Sequence, residues 1–207
     1  MFTIRCLGVA LSLLVASLPQ STEDTPPTLS KDPLTAEQIA IYRTFLENYV
    51  GAPPPLHLAN RTEALPIDEA DDSTEDDSDA RCLKDFKKLK LVNEKEAGTV
   101  VHTLDPSLAT KDHIILVDPD AQGIQVKAND PSKTMREGKT SEDAVNQAFA
   151  TGLLTMSEIV FDQRHRVAIM SFSFWCGRTC GHGAVLLFKK TGKRWKISKR
   201  PCVEWIS

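Results

Sequence analysis

The residues of this chain best suited to chemistry lie in one stretch, Trp175-Cys176-Gly177-Arg178-Thr179-Cys180-Gly181-His182-Gly183. Two thiols four residues apart beside an imidazole suit four different chemistries. A disulfide ring needs only that the two Cα atoms approach within about 7 Å, and the glycines after each cysteine allow the tight backbone this requires. A redox pair would want C-x-x-C at a helix N-terminus, where the thiol pKa falls, whereas this spacing is C-x-x-x-C between two strand-like runs. A zinc site would draw on Cys176, Cys180, His182 and Cys202, a spacing that fits no standard finger. A cysteine nucleophile with His182 as its base would need a free thiol.

Compartment discriminates among these. Arg5 precedes an apolar run from Cys6 to Leu18 that gives way to Gln20-Ser21-Thr22-Glu23-Asp24. That pattern predicts a signal peptide over 1–21, too short to span a bilayer and followed by polar chain. Its removal leaves Cys82, Cys176, Cys180 and Cys202, an even number that in an exported protein reads as disulfides with three possible connectivities. A Cys176–Cys180 ring would leave Cys82 and Cys202 to close a loop of more than a hundred residues. No metal or cofactor is expected on this reading.

A net charge of −3 over 207 residues, 41% of them hydrophobic and 26% charged, describes an ordinary globular domain and gives no basis for nucleic-acid binding. No later segment is apolar enough for stable membrane insertion once the signal is removed. The chain contains no G-x-S-x-G, H-E-x-x-H, P-loop or dinucleotide fingerprint. His57, His102, His113 and His165 stand singly, none at ligand spacing from another. A cationic cluster, Lys189, Lys190, Lys193, Arg194, Lys196, Lys199 and Arg200, is the other candidate surface. A solvated strand face explains it most simply, and an anionic surface partner is what it would otherwise attract. The candidate binding residues are therefore His182, Arg178, Lys193, Arg194 and Lys196.

The elements that must position these residues follow from periodicity. Residues 22–33 are a Pro, Ser, Thr and acid linker. Thr35 and Gln38 form a capping box that opens a helix over 36–50 with Ile39, Tyr42, Phe45, Leu46 and Tyr49 on its apolar face, stopped by Gly51 and Pro53-Pro54-Pro55. Leu56–Thr62 reads as a short strand. Eight acids between Asp68 and Asp79 with no basic residue predict a disordered insertion at about 66–80. A second helix follows around Cys82–Leu89, and Val100, Val101 and Leu104 suggest a short third one. His113–Val117 reads as a buried strand, Asp118–Gly123 as a turn and 128–140 as a loop; Ser141 caps a helix ending near Gly152. From Thr155 the period becomes 2, giving runs at 156–161, 166–175, 184–188, 194–198 and 203–206. The predicted class is α+β, a single domain over 34–207 with amphipathic helices packed on a C-terminal antiparallel β-meander.

Several motifs together resemble a family of uncharacterised exported bacterial proteins. They are Ser157-Glu158-Ile159-Val160-Phe161-Asp162, the strand around Ala168, Cys176-Gly177, Cys180-Gly181-x-Gly183, Lys190-x-Gly192-x-x-Trp195 and the closing Trp205-Ile206-Ser207. Ile39–Tyr49 and Ala59-Asn60-Arg61-Thr62 fit the same family. The resemblance implies an exported bacterial protein and supplies no activity. The expected function is an exported, non-catalytic interaction or structural domain. The alternative is an exported hydrolase or thiol-dependent enzyme built on the Cys176–Gly183 loop and His182.

Overall fold

The computed structural model describes residues 26–65, 78–109 and 113–207, and only the backbone of 78–81. The predicted signal segment lies outside the described residues. So do residues 66–77 of the acidic run, while 78–80 already belong to a helix.

In chain order the elements are β1 (Thr28–Leu29), α1 (Ala36–Asn48), β2 (Leu56–Ala59), α2 (Ser78–Lys87), α3 (Glu94–Ala97) and β3 (Val100–Val101), then a 3₁₀ turn (Pro106–Ala109) and β4 (Ile114–Val117). The second half carries α4 (Pro119–Ala128), α5 (Pro131–Arg136), α6 (Ser141–Thr151), β5 (Leu153–Met156), β6 (Val160–Phe161), β7 (Val167–Gly177), β8 (Cys180–Thr191), β9 (Arg194–Ile197) and β10 (Val203–Ile206). The fold is α+β, with helices packed on a mostly antiparallel C-terminal sheet.

The hairpin of β7 and β8 is the axis of that sheet. Both strands are about twice the common strand length, and each takes different neighbours along its two halves. β7 pairs with β6 at Ala168 and Ile169 and with β5 from Phe172 to Trp175. β8 pairs with β10 from His182 to Val185 and with β9 from Phe188 to Thr191. The turn into β7 is set by Asp162, whose carboxylate accepts from the amides of Arg166 at 2.7 Å and Val167 at 2.6 Å. Burial raises this carboxyl's pKa, but the three amides it accepts outweigh burial and hold it below the ordinary value.

A plain meander is not the whole topology. β2 lies between β4 and β5 and runs parallel to both. The connection from β4 to β5 passes over it through α4, α5 and α6, as a parallel crossover must. The residues read as a turn at Asp118–Gly123 begin α4. Asp118 is its N-cap, accepting from the amides of Asp120 and Ala121, and Pro119 occupies the first turn, where a missing amide costs nothing. The same chemistry converts the expected loop at 128–140 into α5, with Asp130 as cap and Pro131 behind it. α6 is capped by Thr140 and not by Ser141. Val100–Val101 is a strand rather than a helix, because it pairs in parallel with Thr28–Leu29. That pairing also orders part of the segment read as a linker. The sequence could not show it, since each partner is two residues long.

Alternation along the hairpin sorts the core. Ala168, Met170 and Phe174 of β7, with Ala184, Leu186 and Phe188 of β8, join Leu154, Met156, Leu56 and Leu58 beneath α1. The capping box at Thr35 is present, and Ile41, Tyr42, Phe45 and Leu46 form the buried stripe, one step round from the predicted Ile39 and Tyr49. The opposite face is covered in two places. At one end α2 packs Leu83 and Phe86 on Val160, Ile169 and Val185. At the other, Val126 of α4 packs on Ala59 and Leu153, with Trp175 alongside. Between these patches the sheet residues are Thr155 and Ser173, which line a cleft among the described residues.

β10 is held against β8 by a close approach. Trp205 lies across Gly183, where an added Cβ would sit 2.1 Å from the indole and 2.5 Å from the Phe172 carbonyl oxygen. Gly183→Ala therefore displaces Trp205 and is expected to lower stability by about 1–3 kcal/mol in a urea titration. A variant with an unchanged midpoint would show that β10 is not packed this way.

Candidate functional site

The four cysteines among the described residues form two pairs, Cys82–Cys202 with Cα atoms 5.0 Å apart and Cys176–Cys180 at 5.1 Å. The second pair staples the tip of the β7–β8 hairpin. Gly177 has φ of +152°, a conformation that favours glycine, and lies against Pro131 and Asp130. The Asp130 carboxylate accepts from the Arg178 amide at 2.6 Å, and this bond is the main reason its pKa lies below the ordinary aspartate value. Arg178 thus docks the tip to α5 through its backbone, and its side chain is exposed. With all four sulfurs paired, this segment holds no thiolate for zinc or for nucleophilic attack.

His182 points under the sheet and not outward. Its Nε2 lies 3.1 Å from the Tyr49 hydroxyl, its ring stacks on Tyr49, and Phe172 and Phe174 flank it. No carboxylate hydrogen-bonds to it. The pocket around it, about 250 Å³, is lined by Phe45, Tyr49, Phe172, Leu186 and Ile197. Burial depresses the His182 pKa below 6.5, with Glu204 opposing the shift. The arrangement makes His182 a half-buried imidazole bonded to a tyrosine, with no thiol or carboxylate hydrogen-bonded to it among the described residues. Lys193, Arg194 and Lys196 lie on the exposed side of β9 and its turn, while Trp195 faces inward beneath Lys190. Lys190 itself is paired at 2.5 Å with Glu37. Lys193, Arg194 and Lys196 have no ion-pair partner among the described residues, and Lys189 stands directly opposite Lys196.

A larger concavity than the one around His182 lies at the carboxyl ends of the three mutually parallel strands β2, β4 and β5. It has a volume of about 730 Å³. Its floor is the uncovered part of the sheet, Leu153, Thr155, Ser173 and Trp175; its walls are Pro26, Pro27, Leu29 and Val101 on one side and Pro119 and Asp120 of α4 on the other.

Residues 60–63, just past β2, supply the charged groups. They are pinned on both sides: the Asn60 amide donates to Val117 O at 2.8 Å, Thr62 to His102 O at 2.9 Å and Glu63 to Met156 O at 2.9 Å. Extended backbone then turns Arg61 and Glu63 to the cleft and sends the Thr62 hydroxyl the other way. Arg61 bonds Asp120 at 2.7 Å and lies 4.0 Å from Asp118. Glu63 keeps an exposed edge, yet the protein crowded round its carboxyl raises the pKa, which the Thr155 hydroxyl only partly offsets. The Thr155 Oγ1 is itself buried and makes no close hydrogen bond. A buried hydroxyl left unpaired costs about 1–3 kcal/mol.

Behind the cleft wall lies a buried polar knot. Glu158 accepts from the Thr62 hydroxyl, from the His102 amide at 2.9 Å and from His102 Nδ1 at 3.0 Å. The fully buried Tyr42 donates to Ser157 O at 2.9 Å beside it, and burial followed by the Glu158 charge pushes the phenol pKa far up. The knot ties three distant segments and holds Thr62 between Arg61 and Glu63. His102 therefore does not stand alone, as its isolation in sequence suggests. Neither Arg61, Glu63, Thr155 nor Trp175 stood out as a site by type or spacing. The available signal was that Ala59–Thr62 and Ser157–Asp162, two motif segments far apart in sequence, meet across this knot.

The cores on the two faces make two measurable statements. Unfolding without reductant is expected to expose no thiol of the four, and the double variant Cys82→Ala/Cys202→Ala is expected to lose about 5 kcal/mol of stability in the chain-entropy model, against about 2 kcal/mol for Cys176→Ala/Cys180→Ala. Equal losses would remove the long-loop account. Because the folded His182 pKa is depressed, its contribution is complete above pH 6.5 and declines as pH falls below it, where only the unfolded chain takes the proton. A His182→Gln variant should show a flatter fall in melting temperature between pH 7 and pH 5; an identical slope would place the sensitivity elsewhere.

No family model, curated protein or solved structure matches this chain.

Proposed function

We propose that the protein is an exported, non-catalytic binding domain whose ligand site is the cleft at the ends of β2, β4 and β5. The observation that carries this reading is the composition of that cleft: a half-buried indole and eight further apolar side chains around a few convergent polar groups, in a volume within the range of small-molecule sites. Export is supported by the signal-like N-terminal run and by two cysteine pairs at disulfide distance. Among the described residues no helix is long and apolar enough to cross a membrane. The resemblance to exported bacterial proteins points the same way. The hydrolase alternative loses its support at His182, which has neither thiol nor carboxylate to work with. On this reading the unpaired Lys193, Arg194 and Lys196 would meet an anionic surface, a salt-sensitive contact separate from the cleft.

The test uses a neutral apolar fluorophore, N-phenyl-1-naphthylamine. Its emission should rise on addition to the wild-type protein and to Ile206→Ala, which removes an exposed apolar residue that does not line the cleft, and its affinity should fall at least fivefold in Trp175→Ala. Equal binding by Trp175→Ala, or none by the wild type, overturns the reading.

A further inference from the structure

The cleft's lining also restricts the kind of ligand it can take; the inference rests on the binding reading above. Its one guanidinium is already matched: Arg61 donates to Asp120 at 2.7 Å, with Asp118 behind at 4.0 Å, so an anion would find no uncompensated positive charge. Lys193, Arg194 and Lys196, without ion-pair partners among the described residues, do not line the cleft. A purely apolar ligand fits no better. Covering the floor would seal Ser173 and Glu63 beside the already buried Thr155 hydroxyl, and buried polar groups without partners oppose such binding. What the lining offers is a half-buried indole at Trp175, hydroxyls that both donate and accept at Thr155 and Ser173, and an adjacent donor and acceptor at Arg61 and Glu63.

We propose that the cleft binds a neutral saccharide, with one sugar ring laid on Trp175 and its hydroxyl rim turned to Arg61, Glu63 and Thr155. A pyranose has the matching duality. Its C–H face is apolar and slightly electropositive, suited to the negative face of an indole, while its edge carries hydroxyls that need donors and acceptors side by side. The Arg61–Asp120 pair and Glu63 present that alternation. The raised Glu63 pKa agrees with a carboxyl in crowded, weakly hydrated surroundings.

The experiment titrates the full exported chain calorimetrically with chitotetraose, cellotetraose, maltotetraose and laminaritetraose, and with adenosine as a flat non-saccharide. The same ligands compete against N-phenyl-1-naphthylamine. Binding of at least one oligosaccharide is expected, weakened tenfold or more in Trp175→Ala and in Glu63→Gln, and weakened in Thr155→Val, which keeps the shape of the side chain and removes the hydroxyl. Circular dichroism melts establish that each variant is folded, and Glu63→Gln and Thr155→Val carry the test should Trp175→Ala not fold. Fluorophore binding with no bound oligosaccharide, or with adenosine alone bound, overturns the saccharide assignment and leaves the cleft reading intact. Binding of neither fluorophore nor saccharide overturns both, and saccharide binding unchanged in all three variants overturns the location.

Discussion

The register of one hairpin governs this molecule. β7 and β8 pair from Val167 opposite Lys189 to Trp175 opposite Gly181, and because side chains alternate with period 2, that register assigns every residue of both strands to a face. Even-numbered residues go under α1 and odd-numbered ones to the opposite side. A one-residue slip would send Phe174 and Phe188 out of the core and bring Ser173 and Trp175 in. The register is set at its two ends by local devices: Asp162 accepts the amides that begin β7, and the Cys176–Cys180 pair with Gly177 closes the tip. All four flanking strands borrow their alignment from this pair.

The cleft follows from how the second face is covered. α2 and α4 lie on it at opposite ends, each over an apolar patch, and the sheet between them carries hydroxyls instead. A helix over Thr155 and Ser173 would have to bury their hydroxyls without partners, so the gap is consistent with its own lining. The Glu158 knot makes the gap well shaped. With three donors to one carboxylate oxygen it fixes the 60–63 segment from behind, where fully satisfied buried polar groups give rigidity that apolar contacts do not.

Much of the architecture was legible because it rests on local chemistry. The capping box of α1, the proline stop after it, the strand runs of the C-terminal half and the apolar phenylalanine face all answer to periods and caps read within a few residues. The errors were local as well. Asp118-Pro119 and Asp130-Pro131 are equally at home in a turn and at a helix N-terminus, and only the packing of Val126 on Ala59 and Leu153 decides for α4. β1 and β3 are too short to carry a period.

The sequence by itself determined the class of fold, the strand runs after residue 155 and the pairing of Cys82, Cys176, Cys180 and Cys202, whose even number beside a signal-like N-terminal run favours disulfides over reactivity. Tertiary structure decided where a ligand could go. His182 is conspicuous beside two cysteines, yet the parity of β8 turns it under the sheet against Tyr49. Arg61, Glu63, Thr155 and Trp175 come from three strand segments more than a hundred residues apart at the extremes, and they share a cleft only because β2 inserts between β4 and β5. Such insertion is a long-range pairing, and neither composition nor spacing along the chain encodes which strands will become neighbours.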